Sequence, residues 1–97
     1  MTKLHNPLTD RLFKAILNLE TIDDCYAFFE DICTIKEITD ISQRLDVAVM
    51  LKQGKSYQEV SKATGASTAT ISRVNKCLNY GSGGYEMALS KLFEEDK

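Results

Sequence analysis

Tryptophan is absent from this 97-residue chain, proline and histidine each occur once, and there are only three cysteines. Each shortage excludes something. The one histidine, His5, lies in an N-terminal polar tail, so no serine or threonine has the imidazole partner that nucleophilic catalysis requires. Cys25, Cys33 and Cys77 are odd in number, lack a Cys-x-x-Cys spacing and have no histidine pair nearby, which argues against a zinc site or a disulfide frame. They are expected to be reduced core residues within apolar helical patterns. No apolar run is long enough to cross a bilayer, and the first residues lack the apolar stretch of a signal peptide. The expected location is therefore the cytoplasm. Gly81-Ser82-Gly83-Gly84 is the one glycine-rich stretch, but it follows no strand and so is not a phosphate cradle. Asp23-Asp24 and Glu94-Glu95-Asp96 read as solvated carboxylates at a helix start and a tail. Neither catalysis nor metal binding is expected.

The stretch from Tyr57 to Lys76 organises the rest. Ser56 with Glu59 three residues later has the form of a capping box, so a helix starts there and runs to about Ala63. Gly65 supplies a position free to take positive φ, and Ser67 is placed as the N-cap of a second helix. Val60, Ala66, Ile71 and Val74 fall at spacings that give the corner a small apolar interior, which makes this a helix-turn-helix over 57–76. Left outside on the second helix are Ser67, Thr68, Ala69, Ser72, Arg73 and Lys76. Short side chains let a backbone approach base edges, and the two cations suit phosphate or guanine.

Around this motif the sequence predicts about six helices in a single all-α domain, 1–97. Asn6-Pro7 is an N-cap followed by proline at the first helical position, with Leu8, Leu12, Ala15, Ile16 and Leu19 forming an apolar stripe. Thr21 and Asp24 open a second helix carrying Cys25, Tyr26, Phe28, Phe29, Ile32 and Cys33, which is expected to be buried. Thr34 and Glu37 open a long helix ending near Gln53, before Gly54, whose buried side is read as Ile38, Ile41, Leu45, Ala48, Val49 and Leu51, widened by Val47 and Met50. Gly81 to Gly84 is a hinge, followed by an amphipathic helix with Tyr85, Met87, Ala88, Leu89, Leu92 and Phe93.

Net charge is −2, but its distribution is uneven. Residues 15–51 carry two basic and eight acidic side chains, whereas residues 52–76 carry five basic and one acidic. The positive segment is the helix-turn-helix. An acidic body weakens non-specific attraction to phosphates, so affinity must rest on the local patch and on pairing of two chains.

The Thr34 capping-box helix, the Gly54 stop and the run Gly65-Ala66-Ser67-Thr68-Ala69-Thr70-Ile71-Ser72-Arg73 resemble the Trp repressor family, in particular its YerC/YecD-type Trp repressor-like branch. The resemblance extends from the second helix to the end. It implies an all-α intertwined homodimer that binds operator DNA, with Gln58 and Ser61 on the first helix of the motif and Thr68, Ala69 and Ser72 on the second as contacts. With the exposed cations and cap, the candidate DNA-binding set is Gln58, Ser61, Lys62, Ser67, Thr68, Ala69, Ser72, Arg73 and Lys76. The founding member holds L-tryptophan between two arginines with a threonine nearby, and Thr34, Arg44 and Arg73 occupy the matching effector positions. Val74 stands where that pocket has a glycine beside the indole, and Cys77 where it has a serine. No cofactor is therefore expected, L-tryptophan included.

Two functions of different classes fit these residues. One is a dimeric sequence-specific DNA-binding regulator that represses transcription. The other is a helical protein-protein interaction module that keeps the helix-turn-helix as architecture.

Overall fold

A computed structural model describes residues 4–95. They form six helices: α1 (Pro7–Leu17), α2 (Ile22–Ile32), α3 (Ile35–Lys52), α4 (Tyr57–Thr64), α5 (Thr68–Tyr80) and α6 (Gly84–Glu95), with no strand among the described residues. The fold is all-α, as the sequence predicts. The chain separates into two compact units, one ending at Ile38 and the other starting at Thr39.

In the first unit every helix start is fixed by a side chain. Asn6 Oδ1 accepts the Thr9 amide at 3.0 Å, and Pro7 occupies the position whose amide would have no intrahelical partner. At α2 both arms of the capping box form: the Asp24 amide donates to Thr21 Oγ1 at 3.0 Å, and Asp24 Oδ2 accepts from Thr21 N–H at 3.3 Å and from Glu20 N–H at 3.0 Å. Thr34 and Glu37 repeat the pattern at α3, at 2.8 and 3.1 Å.

Local order does not bring burial here. No residue of α1 or α2 is buried in the single chain, and Leu17 and Ile22 are 81% and 76% exposed. Phe28 and Phe29 are half-buried and meet edge to face at 5.4 Å. The expected burial of α2 is therefore corrected: its apolar surface is formed but not covered within one chain. The cysteines are corrected with it. Cys25 and Cys77 are exposed and Cys33 is half-buried, all three as free thiols.

The second unit holds the buried core. Val47 and Ala48 of α3, Val60 of α4, Ala66 of the turn, Ile71 and Val74 of α5 and Leu89 of α6 are each at most 2% exposed and form one cluster. Burying a side chain of Val, Leu or Ile size contributes about 1.5–3 kcal/mol, so this cluster is the main stabilising feature of the corner. The inward face of α3 is rotated from the expected one. Val47 is at its centre, while Ile41 and Leu45 are exposed. The helix ends in a Schellman motif, with Gly54 at φ +83°, its amide donating to Leu51 O and the Lys55 amide to Met50 O.

Gly81 ends α5, where a Cβ would lie 2.4 Å from the Cys77 carbonyl oxygen, so only glycine fits. Gly84 is already helical, which shortens the expected hinge to Gly81-Ser82-Gly83, with Gly83 at φ +85°. An ion pair between Lys52 Nζ and Glu86 Oε2 at 2.8 Å ties the start of α6 to the end of α3. Of the expected acidic end, Asp96 lies outside the described residues. No helix among the described residues is long and apolar enough to cross a membrane.

Candidate nucleic-acid interface

The turn between α4 and α5 is held by a closed set of hydrogen bonds. Ser56 Oγ accepts the Glu59 amide at 3.2 Å, which forms the hydroxyl half of the box the sequence suggests. At the other end of α4, Gly65 takes φ +76° and its amide donates to Ser61 O. Thr64 Oγ1 donates to Val60 O at 2.7 Å and accepts the Ala66 amide at 3.1 Å, while Ser61 Oγ donates to Ala66 O at 2.9 Å. Gln43 of α3 donates from Nε2 to Thr64 O at 3.2 Å and pins the corner from behind. Ser67 Oγ then accepts the Thr70 amide and donates to Thr70 Oγ1, starting α5. These hydrogen bonds and the filled interior fix the direction of α5.

Helical periodicity divides α5 into two faces. Ile71 and Val74 face the core, with Leu78 packed against it. Thr68, Ser72 and Lys76 follow one another at four-residue spacing on the other side, alongside Ala69 and Arg73, and all five are exposed, as is the cap Ser67. Tyr57, Gln58, Ser61 and Lys62 of α4 join Thr68 around an open recess of about 330 Å³. The structure thus groups four of the residues named from the sequence, Gln58, Ser61, Lys62 and Thr68, and sets the other five along the exposed side of α5. Ser61 has a further task, since its hydroxyl proton is committed to the turn. Tyr57 went unnamed; its signal was an exposed aromatic at a helix start beside lysines.

A second cavity, of about 220 Å³, is lined by Arg44 of α3, Thr70, Arg73, Val74 and Cys77 of α5, and Tyr85 of α6. It brings together two of the three expected effector residues, Arg44 and Arg73. Thr34 belongs to the other unit, where its hydroxyl and amide cap α3. In sequence Tyr85 stands only as part of an apolar stripe, because nothing local announces what a side chain will face across a hinge. Burial raises its phenol pKa, the neighbouring Cys77 adds to the rise, and the charges of Arg44 and Arg73 act against it. Two guanidinium groups and a phenol can hold a planar or anionic group. Among the described residues, no cluster of His, Cys, Asp and Glu could hold a metal ion.

Residues 8–93 match the family model described as Trp repressor protein. The chain is 52% identical over 94 residues to the uncharacterized protein YerC of Bacillus subtilis (strain 168), covering 97% of this chain and 90% of that one. It superposes with a TM-score of 0.90 on the crystal structure of a TrpR-like protein from Eubacterium eligens ATCC 27750, at 51% identity and 93% coverage of both chains. A crystal structure of a Trp repressor candidate from Staphylococcus aureus gives the same TM-score at 50% identity, covering 93% of this chain and 90% of that one. The chain therefore belongs to the Trp repressor family, whose members are DNA-binding regulators and not enzymes.

Proposed function

We propose that this protein is a cytoplasmic, sequence-specific DNA-binding repressor that acts as a homodimer, each copy a single domain of residues 1–97 placing α5 in the major groove of an operator. The observation that carries this reading is the exposed row Thr68, Ala69, Ser72, Arg73 and Lys76, set on a corner whose other side is buried at Val60, Ala66, Ile71 and Val74. Small and hydroxyl-bearing side chains read base edges at close approach, whereas lysine at the end of the row meets phosphate. The local charge supports it, since residues 52–76 hold five basic side chains against one acidic.

Homodimer formation is supported by the uncovered apolar side chains of α1 and α2, with Leu8, Leu17, Ile22 and Tyr26 exposed, since clustered exposed apolar surface marks an interaction site. Two recognition helices would then address half-sites one helical turn apart. Selection of bound genomic fragments, followed by fluorescence polarisation at two salt concentrations, tests the reading. Lys76→Ala is expected to weaken binding to all sequences alike and to lower the salt slope by about one. Ser72→Ala or Thr68→Ala should instead change the preference among sequences. Wild-type protein that binds no fragment above its non-specific level would leave the protein-interaction module as the better reading.

L-tryptophan is not its corepressor on this reading. Val74 puts a β-branched side chain into the cavity wall, and overpacking of that kind costs about 1–3 kcal/mol, one or two decades in affinity. Titration calorimetry should give no heat with the wild type and recovered binding in Val74→Gly. Micromolar wild-type binding that also tightens operator affinity refutes the steric account.

A further inference from the structure

The cavity beside the recognition helix is built from three helices, and each contributes a different kind of wall. Arg44 comes from α3, Arg73 and Val74 from α5, and Tyr85 from the first turn of α6. Val74 is 2% exposed and belongs to the core, so the floor is fixed. Tyr85 is the wall that α6 contributes. It follows the Gly81-Ser82-Gly83 hinge, is half-buried against the core cluster, and is anchored one turn later by Leu89 at 1% exposure. Its neighbour Glu86 pairs with Lys52 of α3 at 2.8 Å, which links the first turn of α6 to the end of α3.

From this placement we infer that Tyr85 is a built-in wall of the cavity, a positioning residue whose ring braces Arg73 and the middle of α5, so that the DNA-reading helix is held in place by the protein's own α6. The inference deepens the proposed DNA-binding reading and rests on it for its functional consequence. The physical reasons are direct. Guanidinium groups pack against aromatic faces, and Arg44 and Arg73 line the same cavity as the Tyr85 ring. Arg73 faces the cavity while belonging to the exposed row of α5, so restricting its side chain restricts a group in the proposed interface. A ring removed from this place leaves a void that the surrounding helices fill only in part, and α5 gains freedom that DNA binding must then remove.

The test is chemical rescue. Tyr85→Ala is compared with Tyr85→Phe and wild type for operator affinity and for melting temperature, each with and without millimolar 4-methylphenol, the severed side chain. Tyr85→Phe should stay within about twofold of wild type. Tyr85→Ala should lose roughly tenfold or more in affinity, with 4-methylphenol restoring most of it and raising the melting temperature of this variant but not of wild type. An affinity loss in Tyr85→Ala that 4-methylphenol does not restore, or no loss at all, overturns the inference. If Tyr85→Ala does not fold, Tyr85→Val reads the same quantities. If wild type binds no DNA, the repressor reading fails by itself. The melting arm still decides whether the ring braces this wall: a shift in the variant alone supports it, and no shift refutes it.

Discussion

Helices α2 and α5 are similar in length, at 11 and 13 residues, both start with a hydroxyl N-cap, and both carry an apolar face. Their fates differ. The inward face of α5 is sealed, with Ile71 and Val74 at 1% and 2% exposure, whereas α2 has no buried residue in the single chain. The contrast teaches that an apolar pattern states a need for cover without naming what supplies it. For α5 the cover lies a few residues away, in α4 across a fixed turn and in α6 across a short hinge. For α2, a second copy of the chain is the cover the proposed homodimer provides.

The largest expected effect sharpens this comparison at the sealed side. Ile71→Ala removes a fully buried side chain and is expected to cost about 2–5 kcal/mol, read as a lower denaturation midpoint. A smaller and different effect is expected on the open side. Replacing Leu17 and Ile22 together by serine should weaken self-association by about 1–3 kcal/mol for each side chain that the partner covers, seen as a shift toward monomer in sedimentation. A stable folded wild-type monomer at low micromolar concentration would break the comparison, because the open face would then need no cover.

Next in size comes the turn. Gly65→Ala should cost about 1–2 kcal/mol. Nothing lies within 4 Å of the added Cβ, so the cost arises from the left-handed backbone at φ +76° alone. Asparagine at this position should recover part of it, which a chemical-denaturation series will show.

The smallest effect concerns acid. The caps of α2 and α3 use carboxylates: the backbone amide of Glu20 is the largest cause lowering the Asp24 pKa, and that of Thr34 the largest lowering Glu37. Both values are lowered in the folded chain. The unfolded chain therefore binds more protons in acid, so the stability these caps give is complete above the ordinary carboxylate range and is lost as pH falls through the depressed values. Caps of the helix-turn-helix use Ser56 and Ser67 hydroxyls, which do not titrate there. Relative to intrinsic rates, amide exchange on acidification should accelerate first at Glu20, Thr21 and Thr34, whose N–H groups donate to the two carboxylates, with Glu59 and Thr70 following only on global unfolding. Equal acceleration in the two units would remove this distinction.

Much of this was legible in the sequence, and the reasons are local. Asn6-Pro7, Thr21 with Asp24, Thr34 with Glu37, Gly54, Gly65 and Ser67 each act within five residues, so helix starts and stops could be read to within a residue or two. The corner interior was legible as well, because Val60, Ala66, Ile71 and Val74 are brought together by one short turn. Less was legible where partners are remote. Val47 rather than Ile41 or Leu45 turned out to be central in α3, since the rotation of that helix depends on what packs against it.

The candidate site divides in the same way. Thr68, Ala69, Ser72, Arg73 and Lys76 could be named because α5 alone decides which of its residues oppose Ile71 and Val74. Tyr57 had a local signal beside Gln58 and Lys62, whereas Tyr85 beside Arg44 and Arg73 could not be named. By itself the sequence determined the six helices, their caps and the two faces of α5, because hydrogen-bonded caps and helical periodicity are properties of neighbouring residues. Only the tertiary structure decided which apolar faces are covered, which cysteines are exposed and which side chain closes the cavity. Those depend on the directions in which helices leave their turns, and a turn of three residues sends a side chain to a place that no spacing along the chain encodes.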